Sequence, residues 1–407
     1  MADDSYSALS SKNFRTYLYG NIISVLGVWI QRLALGWHAW QLSESALVVG
    51  LVAAAQFMPL ILLTPFFGVV VDRVSTRAAS IFMHVILAAI ATGLGVLTMS
   101  GNMTAEWLLV LAFMHGLANS AYSPVRLALI PDLVQKKKFP SAVAITSIVF
   151  NISRFIGPGI AGAVVAIYGL GSAYIINAVT YLPVIFVLSI IRIDEHDPHP
   201  ANEKSYFGQL MEGLRYTRDH APIRQIILLA GVSNFFGRGI LELMPAFAAL
   251  IFEGGSGVLA ILMSATGVGA ILASLMFSSR MFQQHFHTLV VVGALGVGLS
   301  VMLFSLVSDL VTGAIVVAML GMFASLVSIG SQTEVQMHVE NRLRGRVMSL
   351  WTLTIMGGPA IGSVVGGALA GNIGSAYTSL TFAAACLLLV LLVGIRKPMP
   401  HTLNDNV

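Results

Sequence analysis

The sequence predicts an all-α polytopic membrane protein, with twelve transmembrane helices in two six-helix halves and both termini in the cytoplasm. Composition, the length of the apolar runs and the placement of charge predict it together. The chain of 407 residues is 57% hydrophobic and only 10% charged, with a mean hydropathy of +0.85. A soluble domain carries about 25% charged residues. Twelve apolar runs occupy 16–41, 47–71, 77–99, 105–129, 141–168, 172–192, 223–252, 257–278, 288–307, 310–336, 346–370 and 374–395. Each is long enough to cross ~30 Å of hydrocarbon as a helix. Isolated strands cannot cross, because lipid offers no partner to backbone N–H and C=O groups.

Orientation follows from the cations. Lys12 and Arg15 precede the first run, and Arg73 and Arg77 follow the second. Arg126, Lys136, Lys137 and Lys138 follow the fourth. Arg192, Lys204, Arg215, Arg218 and Arg224 fill the central gap. Arg280, then Arg342, Arg344 and Arg346, then Arg396 and Lys397 complete the series. These are 19 of the 22 Lys and Arg, all on one side if the runs alternate. The positive-inside rule makes that side the cytoplasm of a bacterial inner membrane. The basic balance then reflects anchoring to anionic lipid, and no nucleic-acid partner is expected. The first run is too long for a signal-peptide core and reads as a retained helix. Cys386, the single cysteine, cannot form an intramolecular disulfide.

Along the chain, the second run ends in Gly68-Val-Val-Val-Asp72-Arg73, followed by Arg77. A carboxylate at a helix C-terminus is disfavoured by the dipole and seeks a cation or another helix's N-terminus. Asp72 with its arginines therefore suits a cytoplasmic gate that latches one conformation and releases another. The fifth run carries Gly157-Pro158-Gly159-Ile160-Ala161-Gly162, and the eleventh carries Gly358-Pro359-Ala360-Ile361-Gly362. Their matching position in the two halves points to an internal duplication, with a substrate site expected at the interface of the halves. The halves are expected at 1–192 and 223–407, joined by a linker at 193–222. Within the linker Phe207, Leu210, Met211 and Leu214 fall at i, i+3, i+4 and i+7, the pattern of an amphipathic helix on the inner leaflet or the cytoplasmic helix ends. Glu334 with Arg342–Arg346 around the tenth and eleventh runs looks like a second-half gate, related to Asp132 and its basic neighbours after the fourth, with Arg126 also a gate candidate.

Three arginines, Arg32, Arg154 and Arg238, lie deep in runs. A charge at the bilayer centre costs at least ~2.5 kcal/mol, so such residues face a bundle interior or a wet cavity. Glu242 follows Arg238 by four residues, which on an α-helix puts the two on one face as a pair. A carboxylate in that setting is the candidate proton carrier, and an excess of arginine favours an anionic organic substrate. Trp29 can stack on a substrate ring. Gln31, Asn119 and Tyr122 are further polar candidates, although such side chains commonly bridge membrane helices. His38, near the outer end of the first run, is expected at the interface. No phosphate-binding loop, zinc motif or nucleophile elbow is present, and no enzyme is expected.

The loop after the second run resembles the signature of the major facilitator superfamily, with Ser75 and Thr76 where a glycine and a basic residue are usual. Residues 23–63, 123–134 and 344–351 resemble the enterobactin-exporter-like and macrolide-efflux-like, drug:proton antiporter branch. The Gly-Pro element of the fifth run is similar to the superfamily's antiporter motif, with Ser153 and Ala161 where glycines are expected. The resemblance implies a major facilitator fold, in which the first and seventh helices line the cavity and Arg32 faces Arg238. It implies export of a small siderophore-like or drug-like molecule by proton antiport, with no cofactor or metal, the proton gradient as energy source, and a monomer in the bilayer. Lipid or lysolipid flipping, or proton-coupled import, remains open on the same scaffold.

Overall fold

The computed structural model describes residues 7–71, 74–191, 206–278 and 286–394. Asp72 and Arg73 therefore lie outside the described residues, as do Arg192, Lys204 and Arg280. The elements are α1 (Lys12–Ser43), α2 (Ala46–Val71), α3 (Thr76–Met99), α4 (Ala105–Asp132), α5 (Phe139–Ile190), α6 (Tyr206–Asp219), α7 (Ala221–Ser233), a π-helical turn (Asn234–Arg238), α8 (Gly239–Glu242), α9 (Met244–Leu250), α10 (Ser256–Ser278), α11 (Phe286–Phe304), α12 (Leu310–His338), α13 (Asn341–Ile373) and α14 (Ser375–Gly394).

Ten of these helices are long and apolar enough to cross a membrane, and α7 to α9 together make a further span bent by 52°. The 52-residue α5 is two spans: its backbone breaks at Gly169, where φ is 81° and ψ is 172°. Only glycine takes that conformation without strain, so one residue turns the chain back through the bilayer. The described helices thus make twelve spans at the predicted places, most ends within four residues of the sequence reading.

Packing repeats between the halves. The fifth span lies against the first and the eighth, and the eleventh lies against the seventh and the second. The Gly-Pro elements make both approaches possible. A Cβ at Gly157 would meet Trp29 Cβ at 2.5 Å, and one at Gly358 would meet the Phe235 nitrogen at 2.9 Å. Without a hydrophobic driving force between helices in lipid, such close backbone approach supplies the association.

The two halves meet tightly on the outer side. Ser363 Oγ in the eleventh span donates to the Gly50 carbonyl in the second at 3.1 Å. Gly162 faces Ala260 of the eighth span, and Gly36 faces the Pro245 ring. Toward the cytoplasm the fifth span exposes Val143, Ile148 and Phe150. The amphipathic helix α6 packs on the cytoplasmic end of α13, where Glu212 pairs with Arg346 and Gly213 seats on the Arg346 backbone. This is the packing on cytoplasmic helix ends that the sequence allows, and it is compatible with a place on the inner leaflet.

Candidate functional site

The deep charges meet where the first span faces the seventh. Arg32 Nη2 donates to Glu242 Oε1 at 2.5 Å, an ion pair that joins the two halves. The Arg32 guanidinium also lies 5.5 Å from the Trp29 ring centre and 5.4 Å from that of Phe57. Cation–π contacts of this kind are worth ~0.5–2 kcal/mol each. Arg154 approaches the same Trp29 ring at 6.0 Å. Arg154 also interacts through space with Arg238, Arg32 and Glu242, so all four charged groups share one field. Three arginines stand against one carboxylate.

The expected Arg238–Glu242 pair is not the one formed. The reason is local: Asn234–Arg238 is a π-helical turn, and Glu242 ends the single α-turn before the bend at Leu243. A π turn inserts residues into the helical count and rotates everything after it, so i, i+4 spacing no longer predicts a partner on the same helix. Arg238 stays within electrostatic reach of Glu242. Asn234 Nδ2 donates to the Ala230 carbonyl at 2.7 Å, which also accepts the Asn234 backbone N–H. Asn234 Oδ1 and Ser233 Oγ are buried without a hydrogen-bond partner among the described residues.

A void of about 30 Å³ lies on the outer side of the pair, among Gly36, Gln56, Leu241 and Pro245. It has room for a water molecule and not for an organic solute. On the cytoplasmic side a cavity of about 360 Å³ opens between the first, fourth and fifth spans. That volume is in the range of small-molecule sites. Its wall includes Tyr17, Asn21, Arg126, Ser147, Phe150 and Asn151. Phe150 stands edge-on to Trp29 at 5.6 Å, so the cavity wall and the charged cluster share an aromatic link.

Sequence reasoning placed Arg126 in the cytoplasmic gap. The structure places it inside α4, exposed to this cavity. Tyr17, Asn21 and Phe150 were missed. The one available signal was the Tyr17 and Asn21 spacing, which on α1 lets the hydroxyl donate to Asn21 Oδ1 at 3.3 Å.

The other polar candidates serve the first half's interior. Gln31 is 1% exposed. Its amide donates to His115 Nδ1 at 3.1 Å and accepts from Asn177 Nδ2 at 2.7 Å, tying three spans together. Asn119 donates to the His115 carbonyl one turn back. Tyr122 packs edge-on to His84 at 4.8 Å. His38, near the outer end of the first span, is buried against the Tyr174 hydroxyl of the sixth span at 3.1 Å.

Among the described residues the gate candidates divide between the cytoplasmic ends of the two halves. Arg77 donates to the Leu188 and Ser189 carbonyls at 2.5 and 2.7 Å, which caps the C-terminus of α5. Asp132 accepts from Thr76 Oγ1 at 2.8 Å, Glu334 pairs with His338, and Arg346 pairs with Glu212. Gly68 lies within α2, one turn before Asp72. In the packing motif Pro158 is buried and Gly162 faces Ala260; Pro359 sits inside α13, where a Cβ on Gly362 would collide with the Phe235 carbonyl.

A family model described as transmembrane secretion effector matches residues 3–407. Among curated proteins, the staphyloferrin A transporter of Staphylococcus aureus is 23% identical over 341 residues, covering 82% of this chain and 84% of its own length. The enterobactin exporter EntS of Escherichia coli is 24% identical, covering 97% and 96%. Among solved structures, the nucleoside transporter NupG superposes with a TM-score of 0.74 at 14% identity, covering 93% of this chain and 99% of that one. A bacterial homologue of the lysosomal transporter Spinster, in an inward-facing and unoccupied conformation, gives 0.71 at 15% identity, covering 95% and 96%. These structures share the major facilitator fold with this chain.

Proposed function

This chain belongs to the transmembrane secretion effector family and is a multi-pass transporter of the bacterial inner membrane, and from that premise we propose that it exports a small organic anion by proton antiport with alternating access. The observation that carries the reading is the Arg32–Glu242 ion pair across the halves, set between a shut outer side and a cytoplasmic cavity. The names of the two curated relatives support a siderophore-like substrate, and the arginine excess supports an anionic one.

Ionised Glu242 holds Arg32 and keeps the outer side closed. An anion arriving from the cytoplasm competes for Arg32, Arg154 and Arg238 and loosens that lock. The π turn and the 52° bend give the seventh span the freedom to carry Glu242 from Arg32 toward Arg238. Once the outer side opens, Glu242 takes a proton from outside, the neutral carboxyl cannot rebuild the pair, and the anion leaves. Return to the cytoplasm-facing form re-pairs Glu242 with Arg32 and releases the proton inward. The proton gradient supplies the energy, and the bilayer and a monomer suffice.

The test uses proteoliposomes with an imposed pH gradient, recording lumenal pH while siderophores, macrolides and cationic dyes are supplied. Substrate-dependent proton flux that Glu242→Gln abolishes is expected. Substrate movement indifferent to the gradient and to Glu242→Gln refutes antiport. Asp72→Asn is expected to slow turnover and leave binding intact. An apolar groove of about 440 Å³ between the fifth and eighth spans favours a second reading, lipid or lysolipid flipping, which transfer of a labelled lipid between leaflets would reveal.

A further inference from the structure

We infer that the cavity around Arg126 is a second binding site, a vestibule that takes an aromatic organic anion before it reaches the charged cluster. The inference rests on the export reading and adds a site remote from Glu242. Arg126 lies in the last two turns of the fourth span, exposed to the cavity, and no carboxylate of the described residues pairs with it. A guanidinium with no carboxylate partner among the described residues is costly inside a membrane helix, and a cavity that hydrates it and admits an anion explains its place. Its planar fork suits a carboxylate or phenolate.

The remaining wall fixes the rest of the ligand. Phe139 and Phe150, both exposed, offer ring faces and edges, while Ser147 and Asn151 offer neutral hydrogen-bonding groups, with the Tyr17–Asn21 pair buried behind them. Rings beside a cation, a hydroxyl and an amide select a flat aromatic body with an acidic substituent. The cavity's volume of about 360 Å³ admits a body of that size. Phe150, edge-on to Trp29, hands the ring toward Arg32 and Arg154, which flank the Trp29 face. Arg126 and Arg154 thus mark two stations on one side of the path.

Cysteine protection tests this. Cys386 is the single cysteine and is fully buried, so Ser147→Cys, on the cavity wall, reports alone. The variant is placed in nanodiscs of phosphatidylcholine and modified with a small neutral maleimide, in the presence of benzoate, benzylamine or added phosphatidylglycerol. Benzoate is expected to slow modification, and benzylamine is not. Adding Arg126→Gln should weaken benzoate protection about ten-fold, the effect of ~1.4 kcal/mol, while modification without ligand keeps its rate. Equal protection by benzylamine, protection that survives Arg126→Gln, or no protection by benzoate overturns the vestibule. Protection by phosphatidylglycerol alone overturns it too, and assigns Arg126 to a lipid headgroup. Proton flux in the Glu242→Gln test is read separately, so failure of antiport and failure of the vestibule are distinguishable.

Discussion

The first and seventh spans occupy equivalent places in the two halves, yet they are built differently. The first is one continuous helix of 32 residues. Its Gln31 is fully engaged by His115 and Asn177 and its Arg32 by Glu242, and Trp29 Nε1 is buried without a partner among the described residues. The seventh is interrupted by a π turn, a single α-turn and a 52° bend, and it buries Ser233 Oγ and Asn234 Oδ1 unpaired. Buried polar atoms without partners cost stability, so the seventh span holds other helical arrangements close in free energy. The first span presents Arg32 from a fixed frame, and the seventh presents Glu242 from a deformable one. In this protein the carboxylate moves and the arginine waits.

Five substitutions break or sharpen that contrast. Arg32→Gln removes the cation from Glu242 and from two aromatic rings, and is expected to lower the export rate in proteoliposomes at least about ten-fold, equivalent to ~1.4 kcal/mol. Arg238→Gln leaves the observed pair intact and should cost clearly less. Equal losses would erase the distinction between anchor and mobile partner. Gly362→Val drives a side chain into the Phe235 carbonyl beside the π turn. Overpacking of this kind costs ~1–3 kcal/mol, read as a lowered midpoint of thermal unfolding in detergent.

Gln31→Ala removes two interhelical hydrogen bonds from the rigid half and should lose ~1–2 kcal/mol of stability with turnover little changed. Asn234→Ala is the converse. It removes the side-chain donor that shares the Ala230 carbonyl with the Asn234 N–H, together with the unpaired Asn234 Oδ1, and should alter turnover while costing less than about 1 kcal/mol. A stability loss from Asn234→Ala larger than that from Gln31→Ala would reverse the assignment of rigid and deformable spans.

Apolar length and charge bias made the twelve spans and their orientation legible, because hydrocarbon thickness and the positive-inside rule act directly on sequence. The Gly157-Pro158 and Gly358-Pro359 repeat was legible too, since small residues are needed wherever backbones touch. Pairing was not. Glu242 was read against Arg238 on the assumption of uninterrupted α-helix, and nothing in Asn234-Phe-Phe-Gly-Arg238 announces a π turn. Its actual partner, Arg32, is 210 residues away and becomes a neighbour only when the halves dock. Arg126 sits near a helix end, where a loop cation and a cavity cation look alike in sequence. Tyr17, Asn21 and Phe150 carry no periodic mark, because every face of a membrane helix is apolar enough to hide an occasional ring or amide.

The single-residue turn at Gly169 belongs to a wider economy on the outer side. Successive spans are joined there through Glu44 and Ser45, through residues 100–104, through Gly169, through 251–255, through 305–309 and through Gly374, none longer than five residues. No lysine or arginine occurs in any of them. Exposed loops are where proteases cut and antibodies grip. Trypsin applied to the outer face therefore finds neither a flexible strand nor a cleavable bond, and an antibody finds only helix tips. The protein presents almost nothing of itself on the outer face of its membrane, and an epitope tag is better tolerated on the cytoplasmic side.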